Sequence, residues 1–285
     1  MNSHRPTIIV HGGAGDIPEE ALPGRLEGCK QAAREGWEVL GRGGSAMDAV
    51  ETAVIALENN PLFNAGRGSA LNLLGQVEMD AAIMEGNTLS AGAVAVVKGI
   101  KNPIRLARRV MEDGRHVLLA GEGALSFARQ SGIAECAPES LIIEKQYGRW
   151  KKKHGTVGCV VLDQRGRIVV GTSTGGLFNK LPGRVGDSPL LGCGTYANEI
   201  GGVSCTGDGE AIIRVVMAKT TLDFVRAGFY PMEAAKKAVG LLEEKTGGKA
   251  GLVITDQFGR VGYARNTDRM PICLISDPNS IVTDS

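Results

Sequence analysis

No apolar run in the 285-residue chain approaches the roughly 18 residues that a membrane span requires. The opening Met1-Asn2-Ser3-His4-Arg5-Pro6 lacks the apolar centre of a secretory leader. The formal net charge is +1, so no overall field draws the chain to nucleic acid or to an anionic surface. The six cysteines are scattered, with no C-x-x-C pair and no zinc spacing, which points to free thiols in a reducing cytoplasm. A P-loop is absent too: G-x-x-x-x-G-K-[ST] occurs nowhere. Histidine is scarce, and all four (His4, His11, His116, His154) precede Ser173. That excludes a nucleophile elbow at Gly171-Thr172-Ser173-Thr174-Gly175, because in an elbow hydrolase the acid and the histidine follow the serine.

What the chain has is glycine, 41 residues, about twice the usual 7%. Tight turns and close backbone approach to a ligand are expected. A 43% hydrophobic fraction is that of an ordinary globular protein, long enough to bury a sizeable core. Residues 7–10 read as a strand, 24–40 as a helix, and Ser45 opens a second helix whose Met47, Val50, Val54 and Leu57 form one face. Residues 77–84 and 89–97 read as a hairpin, Pro103 as the first residue of a helix, and 116–120 as a strand. Residues 138–153 turn polar and then basic, as a solvated linker would. Beyond them, 210–229 and 232–244 read as helices, and 252–255 with 261–264 as a hairpin. Its Asp256-Gln257-Phe258-Gly259-Arg260 repeats the D-Q-x-G-R of Asp163-Gln164-Arg165-Gly166-Arg167, which reflects shared turn chemistry. Gly121 to Ser126 and Gly192 to Ala197 approach a dinucleotide fingerprint, but two near-matches in so glycine-rich a chain carry little weight.

The basic run Lys151-Lys152-Lys153 ends at His154-Gly155-Thr156, where an apolar strand pattern begins. Residues 157–162 and 168–172 flank a turn centred on Arg165, and Thr156 and Thr174 are equidistant from that centre. Directly opposed residues of an antiparallel pair hold their Cβ atoms roughly 4.5–5.5 Å apart. A second hydroxyl is therefore expected beside that of Thr156. A hydroxyl becomes a nucleophile when a base takes its proton, and the α-amino group of an N-terminal threonine is one such base, with a pKa of about 7.7–8.0. Cleavage of Gly155–Thr156 would create that amine.

The residues that follow are Asn179-Lys180-Leu181-Pro182-Gly183-Arg184-Val185-Gly186-Asp187-Ser188-Pro189 and Val203-Ser204-Cys205-Thr206-Gly207-Asp208-Gly209-Glu210. Together with His11-Gly12-Gly13-Ala14-Gly15 and Pro61-Leu62-Phe63-Asn64-Ala65-Gly66, they closely resemble the plant-type asparaginase and isoaspartyl-peptidase family of N-terminal-nucleophile hydrolases. The motifs occur in family order over almost the whole chain.

The resemblance implies an α/β fold, an αββα four-layer sandwich, in which one domain of 285 residues is cut into an α subunit, 1–155, and a β subunit, 156–285. Thr156 would be the nucleophile and Thr174 would orient it, with Asn64 nearby. Arg184 would hold the substrate α-carboxylate and Asp187 its α-ammonium, with Gly209 adjoining them, while Thr206 and the Gly207 N–H would stabilise the oxyanion. The substrate would be L-asparagine or a β-aspartyl dipeptide. No organic cofactor is implied. A structural sodium ion would sit on the main-chain carbonyls of Leu57, Glu58, Asn60, Phe63, Ala65 and Arg67, and two αβ units would form a dimer. Two other readings stand beside this one. A glycosylasparaginase-like amidase shares the R-x-x-D and T-G elements, but the opening His-Gly-Gly-Ala-Gly and the Gly before Thr156 argue against it. A non-catalytic amino-acid sensor would use Arg184 and Asp187 to recognise a zwitterion.

Overall fold

The computed structural model describes residues 4–143 and 155–285; the basic stretch 144–154, expected as linker, lies outside them. Strand β1 (Thr7–His11) leads through a short 3₁₀ turn into helices α1 (Leu22–Gly41) and α2 (Ala46–Asn59). The start of α2 is fixed by Ser45, whose hydroxyl oxygen accepts from the Asp48 amide at 3.2 Å and whose proton goes to the Asp48 carboxylate at 2.7 Å. Strands β2 (Met79–Glu85) and β3 (Ala91–Val97) form the expected hairpin. Helix α3 (Pro103–Asp113) begins with proline and ends at Gly114 in the left-handed region, φ 73°. Strand β4 (Leu118–Ala120), shorter than the pattern suggests, runs directly into α4 (Gly121–Gln130).

Strands β5 (Val157–Leu162) and β6 (Ile168–Thr174) pair in the register the sequence implies, with Val157 opposite Ser173. The chain continues through β7 (Thr195–Asn198), β8 (Gly201–Gly207), α5 (Gly209–Val215), α6 (Met217–Arg226), α7 (Pro231–Thr246), β9 (Ala250–Asp256), β10 (Val261–Arg265), β11 (Ile272–Asp277) and β12 (Ser280–Asp284). An eight-stranded sheet in the order β12-β11-β1-β5-β6-β2-β3-β4 lies against a four-stranded sheet, β10-β9-β8-β7. Helices α1 to α3 pack on the outer face of the large sheet, and α6 and α7 on that of the small one. These are the four layers of an αββα sandwich.

Side-chain parity divides the core among these layers. On β5 and β6, Val157, Cys159, Val161 and Val169 face the helices, whereas Val160, Leu162, Ile168 and Val170 fill the space between the sheets. Both faces are covered, so the strands read as continuous apolar runs. By the same alternation Thr156, Thr172 and Thr174 belong to the inter-sheet face. On β8, Val203 and Cys205 pack toward the helices of the small sheet, leaving Ser204 and Thr206 to point at the large one. Polar residues of β6 and β8, with Thr156 at the head of β5, therefore meet at one end of an otherwise apolar layer.

The single helix expected over 210–229 is broken. Val216 takes φ 48°, ψ 52°, a left-handed conformation costing a β-branched residue about 1–2 kcal/mol. The break is compensated: the Ala218 and Lys219 amides donate to the carbonyls of Cys193 and Gly192 at 2.9 and 2.8 Å. The onset of the expected solvated linker is packed, with Leu141 1% exposed in the core and its carbonyl accepting from Gly68. Met47, expected in the core, is only half-buried, and Ala46, Ala49 and Ala53 take that place. The two D-Q-x-G-R turns share their main-chain bonds and differ at the second aspartate oxygen, which takes Arg260 Nε at 2.6 Å in one and the Ala46 amide at 3.1 Å in the other. In each, one aspartate oxygen accepts from the amides two and four residues on, at 2.9 to 3.0 Å.

Candidate active site

Thr156 stands just before β5, 5% exposed, with its hydroxyl 3.3 Å from that of Thr174. Thr174 is fully committed. Its oxygen accepts from the Gly176 amide at 3.0 Å, and its proton goes to the Gly155 carbonyl at 3.2 Å. The Asn64 side-chain amide donates to the same carbonyl at 2.8 Å and to that of Gly176 at 2.7 Å, while its own oxygen accepts from the Ala70 amide. Two donors thus converge on the oxygen of the Gly155–Thr156 peptide, with a hydroxyl next along the chain, an arrangement that polarises this bond.

The Thr206 hydroxyl oxygen accepts from the amides of Thr156 and Ala14 at 3.2 and 3.1 Å. The His11-Gly12-Gly13-Ala14-Gly15 loop therefore lies against the threonine, and a Cβ on Gly13 would come within 2.9 Å of Gly155 Cα. His11 itself bonds to Ser204 at 2.8 Å, and Ser204 to Thr172 at 2.8 Å, forming a buried layer behind the three threonines. Burial drives the His11 imidazole down to about 3, so it is neutral near pH 7. Nothing but strand parity signals this layer in the sequence.

Thr156, Thr174, Arg184, Asp187 and Gly207 line one small cleft, together with Gly155, Gly176 and Leu177. Asn64, Thr206 and Gly209 act from behind it. Arg184 and Asp187 do not pair with each other. The Arg184 guanidinium makes a two-pronged bond to Glu210, at 2.9 and 2.8 Å, a partner that went unread in the sequence. Its position two residues after Asp208, in the first turn of α5, was the available clue. Asp187 is 4% exposed, and one of its carboxylate oxygens has no hydrogen-bond partner. Burial pushes its carboxyl up to about 7, against its own main-chain N–H and the Arg184 charge. A buried carboxylate oxygen left unpaired is costly and suits a cationic ligand group. Glycine at 209 permits this arrangement, since a Cβ there would stand 2.7 Å from Arg184 Nη2 and 2.9 Å from Asp187 Oδ1.

The loop that carries Asn64 folds back on the end of α2. The carbonyls of Leu57, Glu58 and Asn60 accept from the amides of Asn60, Arg67 and Phe63, leaving each a second lone pair. Gly66 and Gly68, at φ 52° and 103°, make the turn. Neutral carbonyl oxygens are a donor type that suits a hard cation. Among the described residues no cluster of His, Cys, Asp or Glu is arranged to hold a metal ion.

A four-layer αββα sandwich with a threonine at the edge of its inter-sheet layer is the architecture of N-terminal-nucleophile hydrolases. The chain belongs to the asparaginase family: a family model described as Asparaginase matches residues 4–154 and 151–282. It is 49% identical to the isoaspartyl peptidase/L-asparaginase of Danio rerio, over 89% of this chain and 87% of that one. It is also 49% identical to the plant-type L-asparaginase of Pyrococcus horikoshii, over 95% and 96%. Identity to the human isoaspartyl peptidase/L-asparaginase is 47%, over 89% and 88%.

Proposed function

We propose that the chain cuts itself between Gly155 and Thr156 and then hydrolyses L-asparagine to L-aspartate and ammonia, or releases β-aspartyl residues from dipeptides. The observation that carries this reading is the Gly155 carbonyl, held by Asn64 and Thr174 next to the Thr156 hydroxyl. In the cut, Thr156 Oγ1 attacks the Gly155 carbonyl carbon and negative charge develops on the oxygen that both residues contact. The C–N bond breaks, the Thr156 nitrogen takes the proton, and water hydrolyses the resulting ester. The products are an α subunit of residues 1–155 and a β subunit of 156–285 that begins with a free amine.

In turnover that amine takes the proton of Thr156 Oγ1, which attacks the substrate's side-chain amide carbon. Departure of the Gly155 carbonyl releases the Thr174 proton, which then bonds to Thr156 Oγ1. The oxyanion bonds to Thr206 and the Gly207 N–H, contacts worth about 2.7–4 kcal/mol per donor in other hydrolases. Arg184 takes the α-carboxylate, displacing or sharing Glu210, and Asp187 takes the α-ammonium. The amine protonates the leaving group, and water then frees aspartate from the acyl-enzyme. Ammonia release from L-asparagine, measured beside hydrolysis of a β-aspartyl dipeptide, tests the reading; inactivity toward both would refute it.

A sodium ion on the carbonyls of Leu57, Glu58, Asn60, Phe63, Ala65 and Arg67 would stiffen the loop that aims Asn64. A melting temperature indifferent to replacing sodium with tetramethylammonium would count against it. Two αβ units would associate as a dimer, which sedimentation tests. No helix among the described residues is long and apolar enough to cross a membrane. The six unpaired cysteines support a cytoplasmic setting, which cell fractionation would check.

A further inference from the structure

Arg184 and Asp187 sit on an irregular loop, yet a binding pair must be held to within about half an ångström to work well. What holds this loop is strand β2. Asp80, fully buried, stands directly opposite Thr174 in the β2–β6 register. One of its carboxylate oxygens accepts at 3.1 Å from the amide of Gly186, the residue immediately before Asp187. The other accepts from the Val96 amide at 2.9 Å. Val96 belongs to the bulge in the β2–β3 pairing and has φ 55°, a genuine outlier for a β-branched residue. Just ahead of that strand, two residues from Asp80, Glu78 accepts from the amide of Gly183, the residue immediately before Arg184, at 3.1 Å. Between them Lys180, 5% exposed, donates to the Glu78 carbonyl at 2.6 Å. Two amides on two different oxygens suit an acceptor-only, ionised carboxylate at Asp80. Burial raises its carboxyl above the ordinary range, while the Lys180 ammonium, the two amides and Arg184 favour the charged form.

We infer that Asp80 is a positioning residue for substrate binding, its buried carboxylate fixing through the Gly186 amide the loop that presents Arg184 and Asp187. The inference rests on the proposed reading of that pair as the site for the substrate's zwitterionic head. A strained bulge at Val96, stabilised by the same carboxylate, is the structural cost of placing an anion at this point. Asp80 touches neither substrate nor nucleophile, so its loss should be felt in binding.

The test is Asp80→Asn, which keeps the shape but turns an N–H toward one of the two amides. The variant should still split at Gly155–Thr156, with KM for L-asparagine raised about tenfold or more and kcat within about threefold of wild type. An unchanged KM would overturn the inference, as would a variant that no longer splits or loses kcat alone, since either would attach Asp80 to the nucleophile. If Asp80→Asn does not fold, Glu78→Ala removes the Gly183 half of the clamp, together with the ion pair to Lys98, and should raise KM about threefold; no rise there would equally overturn the inference. A wild-type protein inactive on asparagine and β-aspartyl dipeptides would instead sink the functional reading itself.

Discussion

The side-chain amide of Asn64 donates to the carbonyl of Gly155 at 2.8 Å, although the two residues are 91 positions apart. The contact, made in the uncut chain, places a preorganised donor where charge would develop under the proposed cleavage. Asn64→Ala should leave Thr174 as the one donor on that oxygen among the described residues and slow self-cleavage by roughly 10²–10³-fold. A time course of fragment appearance on a denaturing gel measures this. Cleavage at the wild-type rate would remove Asn64 from the step.

Arg184→Ala should act on affinity. A charge-assisted bond to a carboxylate contributes about 1.5–3 kcal/mol, so KM for L-asparagine should rise roughly ten- to hundredfold. Self-cleavage, which involves no substrate carboxylate, should proceed as before. Steady-state kinetics on the split variant would expose the error if KM stayed unchanged.

Asp187, in its proposed role, should make binding depend on pH. Its carboxyl is pushed up to about 7 by burial, and only the ionised form balances a substrate ammonium. Above pH 7 the anion is present and affinity is full. As pH falls through 7 the free site protonates, and the competitive inhibition constant of L-aspartate should rise about tenfold per unit. In Asp187→Asn inhibition should be weak and flat with pH. A wild-type constant independent of pH between about 5.5 and 8 would contradict this account; because an α-amino group ordinarily titrates at about 7.7–8.0, the inhibition constant rather than kcat is read.

Much of the site was legible because it rests on strand periodicity. A turn centred on Arg165 set the β5–β6 register, and that register alone brought Thr156 beside Thr174. Resemblance to relatives supplied Arg184, Asp187 and Thr206, whose side chains sit on a loop and on a distant strand that no local pattern links to Thr156. Glu210 stayed hidden because its pairing with Arg184 is tertiary, as did the break at Val216, whose cost is offset by carbonyls of residues 192 and 193. The His11–Ser204–Thr172 layer joins three strands and two sheets, so it follows only once the sandwich is assembled.

The central claim is that the working enzyme exists as two pieces, with Thr156 at a new N-terminus. Intact-mass analysis of freshly purified wild-type protein and of Thr156→Ala tests it most directly. The wild type should give polypeptides of 155 and 130 residues, with the smaller beginning at Thr156, and the variant one inactive chain of 29.9 kDa. An active wild type that remains a single chain, or a Thr156→Ala variant that still divides, would contradict the account.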